Sequence, residues 1–191
     1  MLGIVCCGGK STRMGTDKGL ISMGNGNWAI HAFQKLKGLG IPVAISVNES
    51  QRENYLPFFK EEQFIFDDPS LDIAGPVLAL LSVHAKHPLA DLLVLACDLP
   101  LMETSLLTQL LDAENKLPAK EAFVFGHDGN PEPLCAIYKA GSLAKVMHEL
   151  KGGRLTRHSM KHVLSLLKVC ELIIPEGKTG AFKNFNTYDG V

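Results

Sequence analysis

The run Leu92-Leu93-Val94-Leu95-Ala96-Cys97 constrains the fold most. Six apolar residues in a row, without the alternation of a strand that faces water on one side, read as a central strand buried on both faces. Such a strand needs helices on both sides of its sheet, and the rest of the chain supplies them. Apolar runs rich in Val and Ile alternate with stretches of helical period, the signature of βαβ units and a mainly parallel α/β sheet. Strands are predicted at Leu2 to Cys7, Val43 to Val47, Phe64 to Phe66 and Leu92 to Cys97, with strand-like segments at Ala122 to Phe125, Leu134 to Tyr138 and Lys168 to Ile174. Helical spacing joins Trp28, Ile30, Phe33, Leu36 and Leu39, ending at Gly38 and Gly40. Further helices are predicted from Gly75-Pro76 through Val83, at Thr104 to Leu111, around Ser142 to Leu150 and over Thr156 to Leu167. With no repeat, linker or low-complexity stretch, 191 residues predict one domain spanning 1–191.

Directly after the first apolar run comes Cys6-Cys7-Gly8-Gly9-Lys10-Ser11-Thr12-Arg13-Met14-Gly15-Thr16-Asp17-Lys18, which places glycines and cations in one short loop. Gly8 and Gly9 lack side chains, so backbone N–H groups there can approach phosphate oxygens closely. Arg13 can grip two oxygens with its planar fork, and Lys18 adds a point charge. The spacing is neither that of a P-loop, GxxxxGK followed by Ser or Thr, nor that of the dinucleotide fingerprint GxGxxG.

In an open parallel sheet, ligands bind beyond the carboxyl ends of the strands. Along that rim the sequence places the glycine loop after strand one, Asn48 after strand two, Asp67 and Asp68 after strand three, and Asp98 after the central strand. Asp98 offers a hard oxygen ligand for Mg²⁺ bridging to phosphates, or it caps the Leu99-Pro100 turn. Asp68 before Pro69 accepts hydrogen bonds from a nucleoside or forms an ordinary turn, and Asn48 is similarly two-sided. Near the C-terminus, Asn184 and Asn186 alternate with apolar residues, so both amides face one side of an extended segment, reading a ligand or capping a turn. Arg154, Arg157, His158, Lys161 and His162 form a basic cluster that is either a solvated helix face or the lining for a second anionic substrate.

A formal charge of −1 argues against a nucleic-acid surface, and no apolar run reaches the roughly 20 residues of a membrane span. A cytoplasmic protein is expected. Five cysteines without CxxC spacing, Cys6, Cys7, Cys97, Cys135 and Cys170, read as small buried hydrophobes rather than disulfide or zinc residues.

These motifs together resemble the molybdenum cofactor guanylyltransferases, the MobA-like family of nucleotidyltransferases. The resemblance is carried by Gly8 through Leu20, Val47-Asn48, Asp68 with Gly75-Pro76, Ala96-Cys97-Asp98-Leu99-Pro100, Pro133-Leu134 before Ala136-Ile137-Tyr138, and Asn184-Phe185-Asn186-Thr187. It implies a doubly wound, Rossmann-like sheet with helices on both faces, and transfer of GMP from GTP to molybdopterin carrying molybdenum, with Mg²⁺ as cofactor and pyrophosphate as product. By position, Cys6, Cys7, Gly8 and Gly9 would contact the guanine nucleotide through the backbone. Arg13 and Lys18 would hold phosphates, Asn48, Asp68 and Gly75 would complete the nucleoside site, and Asp98 would bind Mg²⁺. Arg13, Lys18 and Asp98 would be catalytic, and Asn184 and Asn186 would receive the pterin. Transient contact with other cofactor-assembly proteins or apo-molybdoenzymes is a further implication. The chain departs from the family in having Cys6-Cys7 for Leu-Ala and Ala79 for a second glycine. Alternatives that stay open are a cytidylyltransferase, a sugar- or polyol-phosphate nucleotidyltransferase, and a non-catalytic carrier of nucleotide or cofactor.

Overall fold

A computed structural model describes residues 1–8, 17–127 and 129–185. Its centre is a seven-stranded sheet of β1 (Leu2–Cys6), β4 (Val43–Val47), β5 (Phe64–Phe66), β6 (Leu92–Ala96), β7 (Ala122–His127), β8 (Asn130–Tyr138) and β9 (Val169–Ile173), in the order β5-β4-β1-β6-β8-β7-β9. The short strands β2 (Ser22–Met23) and β3 (Gly26–Asn27) form a separate antiparallel pair. The helices are α1 (Trp28–Lys37), α2 (Arg52–Tyr55), α3 (Pro76–Lys86), α4 (Thr104–Lys116), α5 (Ala140–Lys151) and α6 (Met160–Ser165).

Strands β5, β4, β1 and β6 run parallel, so their carboxyl ends share one edge. β8 runs against both β6 and β7, while β9 is again parallel to β7. The parallel half is wound as the sequence predicts, because each of its connections carries a helix or turn back over the sheet. β8 is the exception: it follows β7 after a tight turn at Gly129, whose φ of +73° suits glycine.

Side chains of each strand alternate between two cores. Val5, Ile45, Leu93, Leu95, Phe123 and Ile137 meet α1 and α4 on one face. Ile4, Ala44, Leu92, Val94, Ala136 and Tyr138 meet α3, α5 and α6 on the other. All five β6 residues are buried, as a central strand with both faces covered requires. Burying each such Leu or Val contributes about 1.5–3 kcal/mol.

Helix starts follow local chemistry. The Asn27 side chain accepts from Ile30 N at 2.9 Å to open α1. Gly75, at φ +76°, turns the chain into α3, with Pro76 in its first turn. The predicted helix over Thr156 to Leu167 is shorter: Ser159 caps α6, which spans Met160–Ser165, accepting from His162 N at 3.2 Å. Arg154, Arg157 and His158 therefore precede α6, and only Lys161 and His162 lie on it. The cysteines are free, with Cys7, Cys97 and Cys135 buried, and burial pushes the Cys6 thiol up to about 12.

Candidate active site

The carboxyl edge of β1, β4, β5 and β6 carries the polar residues that the sequence placed there. Lys18 Nζ lies 3.1 Å from Asp98 Oδ2, joining residues 80 apart in the chain. Both side chains keep about a quarter of their surface exposed, so the pair lies at the surface of the rim instead of filling a core. The Asp98 turn is held from three directions. Cys97 N donates to Cys6 O at 3.1 Å, Phe185 N donates to Asp98 O at 3.2 Å, and Lys35 Nζ donates to Pro100 O at 2.5 Å. Lys35 is half-buried, and desolvation lowers its pKa.

Lys18 is positioned by its neighbour. The Asp17 carboxylate accepts from Gly19 N at 3.0 Å, Tyr55 OH at 2.7 Å and Gln51 Nε2 at 2.5 Å. The same Gln51 amide nitrogen donates to Cys7 O at 3.1 Å, and Gln51 Oε1 accepts from Asn48 N at 2.9 Å. One buried glutamine thus ties the ends of β1 and β4 to the residue before Lys18. A Cβ on Gly19 would stand 2.2 Å from Tyr55 OH, which explains the glycine after Lys18. Neither Gln51 nor Tyr55 was legible as a site residue, because their partners lie 34 to 44 residues away and no local spacing marks them.

On the other side of β1 the arrangement differs from expectation. Cys7 N and Gly8 N both donate to Ser46 O, at 2.9 and 3.1 Å, so these amides serve the β1–β4 junction. The Cys6 and Cys7 carbonyls are likewise engaged, by Cys97 N and Gln51. Asn48 Oδ1 accepts from Ser50 Oγ at 2.5 Å. Asp68 forms the turn that its place before Pro69 suggested: Oδ1 accepts from Ser70 N at 2.9 Å, holding the carboxyl below its usual range. Its amide donates to Ser82 Oγ on α3 at 2.8 Å. Gly75 stands at the start of α3, and Ala79 is buried one turn further on. Gly9, Arg13 and Asn186 lie outside the described residues.

A second carboxylate, Glu132, borders Asp98. Continuing the antiparallel register Leu95↔Cys135 carries residue 132 level with residue 98. Burial raises the Glu132 pKa first and the charge of Asp98 raises it further, while Lys161 opposes both. Reading β8 as a strand of unstated direction left Glu132 unplaced; only the reversal brings it to the rim. Lys161 Nζ donates to Asn130 Oδ1 at 3.1 Å, and Arg154 pairs with Glu149 at 2.8 and 3.0 Å. Part of the basic cluster is therefore spent on protein partners, while Lys161 faces the acidic side of the site.

The C-terminal segment closes this side. Phe185 is buried against Trp28, with ring centroids 6.2 Å apart, and Ile21 completes that small cluster. Asn184 is exposed beside it, one residue from the amide bound to Asp98 O. An open depression of about 410 Å³, lined by Gln109, Asp112, Lys116, Leu117 and Leu172 among others, involves none of these groups.

Among the described residues no three His, Cys, Asp or Glu side chains form a ready metal cage. A Mg²⁺ ion carried by substrate phosphates needs only one or two protein carboxylates. Asp98, partly exposed on the rim with Glu132 near it, fits such a role. No helix among the described residues is long and apolar enough to cross a membrane.

Known proteins share both sequence and architecture with the chain. A molybdenum cofactor guanylyltransferase from Pseudomonas paraeruginosa is 32% identical over 159 residues, covering 81% of this chain and 77% of that protein. One from Pseudomonas fluorescens is 28% identical over 187 residues, covering 96% and 88%. The crystal structure of molybdopterin-guanine dinucleotide biosynthesis protein A from Archaeoglobus fulgidus superposes with a TM-score of 0.77 at 20% identity, covering 99% of this chain and 94% of that one. Nucleotidyltransferases of this kind generally use a divalent metal. The model of the MobA-like NTP transferase domain matches residues 3–168, and with a rim that joins Lys18 to Asp98 at the ends of parallel strands, the chain belongs to that family of nucleotidyltransferases.

Proposed function

We propose that the protein transfers GMP from GTP to molybdopterin carrying molybdenum, releasing pyrophosphate, with Mg²⁺ as the metal and in the cytoplasm. The observation that carries the reading is the meeting of Lys18 and Asp98 on one rim, 3.1 Å apart, beside the end of the glycine loop. The names of the guanylyltransferase relatives support the choice of substrates.

The terminal phosphate of the pterin is ionised at neutral pH, so its attack needs no strong general base. An oxygen of that phosphate forms a bond to the α-phosphorus of GTP in line with the departing bond, and the electron pair of the broken P–O bond leaves with pyrophosphate. The protein's task is alignment and charge neutralisation. Lys18, joined by Arg13, meets the negative charge that grows on the leaving group. Asp98 would hold Mg²⁺, which would add positive charge at the triphosphate. Asn48, Asp68 and Gly75 flank the nucleoside. Asn184 and Asn186 lie on the side that receives the pterin.

Pyrophosphate release tests this reading. Release that requires both GTP and molybdenum-loaded molybdopterin is expected. Binding of both without release would make the protein a carrier, and a preference for CTP would make it a cytidylyltransferase.

A further inference from the structure

Lys18 and Asp98 meet across 80 residues of sequence, and both are held through consecutive carbonyls at the end of β1. Cys6 O accepts from Cys97 N at 3.1 Å, which fixes the residue before Asp98. Cys7 O accepts from Gln51 Nε2 at 3.1 Å, and the same nitrogen donates to Asp17 Oδ2 at 2.5 Å, which fixes the residue before Lys18. Consecutive carbonyls of a strand point to opposite sides, so one strand end serves as the common frame for both members of the pair.

Gln51, buried just before α2, uses its whole amide. Both Nε2 hydrogens have acceptors, and Oε1 accepts from Asn48 N at 2.9 Å. Turned over, the amide would set its oxygen against two oxygens and its nitrogen against an N–H, so one orientation is allowed. Asp17 is equally occupied: Oδ1 accepts from Gly19 N at 3.0 Å and from Tyr55 OH at 2.7 Å. Gln51, Gly19 N and Tyr55 are all neutral donors. A carboxylate one residue from Lys18 is a ready rival to Asp98 for the ammonium. Neutral donors satisfy it without a cation, which leaves the Lys18 ammonium to Asp98 and to phosphates.

We infer that Gln51 is a positioning residue that acts on the reaction through Lys18, by anchoring Asp17 to the sheet and keeping its carboxylate from the ammonium. This inference rests on the proposed nucleotidyl transfer, in which Lys18 meets the charge that grows on pyrophosphate. Alignment matters most in the transition state, where a misplacement of about 1 Å can lower turnover about a hundredfold. Loss of the Gln51 strut therefore shows in kcat, and it shows only while Lys18 is there to be misplaced.

The test measures pyrophosphate release from GTP and molybdenum-loaded molybdopterin by Gln51→Leu, Lys18→Met and the double variant. Gln51→Leu should lower kcat about tenfold or more with Lys18 present and less than about twofold in the Lys18→Met background, because residues that act as a unit are not additive. Equal losses in both backgrounds, as a merely structural role would give, or a wild-type rate for Gln51→Leu, would overturn the inference. If Gln51→Leu does not fold, Tyr55→Phe replaces it, since it removes one donor to Asp17 and keeps the ring stacked on Phe59. A loss of about two- to fivefold that vanishes in the Lys18→Met background is then expected, and any other pattern contradicts the inference. A wild type that releases no pyrophosphate would remove the functional reading, and nucleotide-free crystal structures then decide the positioning. In either variant Lys18 Nζ should move from 3.1 Å to beyond about 4 Å from Asp98 Oδ2, past the range of an ion pair. An unchanged contact would overturn the inference.

Discussion

Around Lys18 and Asp98 most of the side-chain ties, all but the Gly19 N bond to Asp17, span 34 to 80 residues of sequence, whereas around Asp67 and Asp68 they span 2 to 14 residues. On the first side Tyr55, Gln51 and Gly19 N fix Asp17, and Lys35 and Phe185 fix the turn after β6. On the second side Asp68 Oδ1 is tied into a local turn, and among the described residues Asp67 Oδ1 is buried with no donor. The proposed function accounts for the firmly tied side. Charge that develops during phosphoryl transfer is best met by groups already in place, since reorganising them would consume the stabilisation they offer.

The largest effect that separates the two sides is on turnover. Asp98→Asn should lower the rate of pyrophosphate release about a hundredfold or more while leaving the fold intact, in line with roughly 3–4 kcal/mol for a lost electrostatic stabiliser. Near wild-type turnover would remove Asp98 from the chemistry and erase the contrast.

Next comes the rigidity of the Lys18 side. Gly19→Ala drives a methyl against Tyr55 OH and should cost roughly 1–3 kcal/mol of stability, read as a lower melting temperature. Removing that oxygen as well, in Gly19→Ala combined with Tyr55→Phe, leaves the ring carbon at 3.2 Å as the nearest atom and should recover part of the loss. A double variant no more stable than Gly19→Ala alone would show that Tyr55 does not set the position of this turn.

The smallest effects are in pH dependence, where Asp67 and the buried His84 oppose each other in sign. Asp67 has a raised pKa, so between the ordinary value of 3.8 and its higher folded value the folded state holds more protons, and stability falls as pH rises through that window. Asp67→Asn should flatten this slope and melt above wild type at pH 7. His84 is buried on α3, its Nδ1 without a partner among the described residues, and desolvation lowers its pKa. Here the unfolded state takes up the proton first, so stability falls as pH drops below the ordinary 6.5. Melting curves of wild type, Asp67→Asn and His84→Gln across pH 4 to 8 check both signs.

Much of this rim was legible in the sequence because β4, β5 and β6 are largely apolar runs followed at once or one residue later by Asn48, Asp67 and Asp98. Periodicity located β4 and β5 to the residue and placed Asp98 at the end of β6, and topology did the rest. Lys18 could be matched to Asp98 because both fall on the same edge. What stayed hidden depends on contacts without a local signal. The Asp17–Gln51–Tyr55 network joins a loop to a four-residue helix that no periodicity reveals. The reversal of β8, which brings Glu132 beside Asp98, turns on the tight turn at Gly129. The amides of Cys7 and Gly8 were assigned outward, but β1 runs on past its ladder far enough to give both to Ser46 O. The basic cluster was placed on one helix because its charges have helical spacing, yet Ser159 caps the chain midway through it.

A crystal structure with GTP and Mg²⁺ tests the central claim most directly. The account predicts that Lys18 Nζ and Asp98 Oδ2 part from their 3.1 Å contact to take the triphosphate and its metal between them. A triphosphate bound elsewhere, with that ion pair intact and no metal on Asp98, would contradict it.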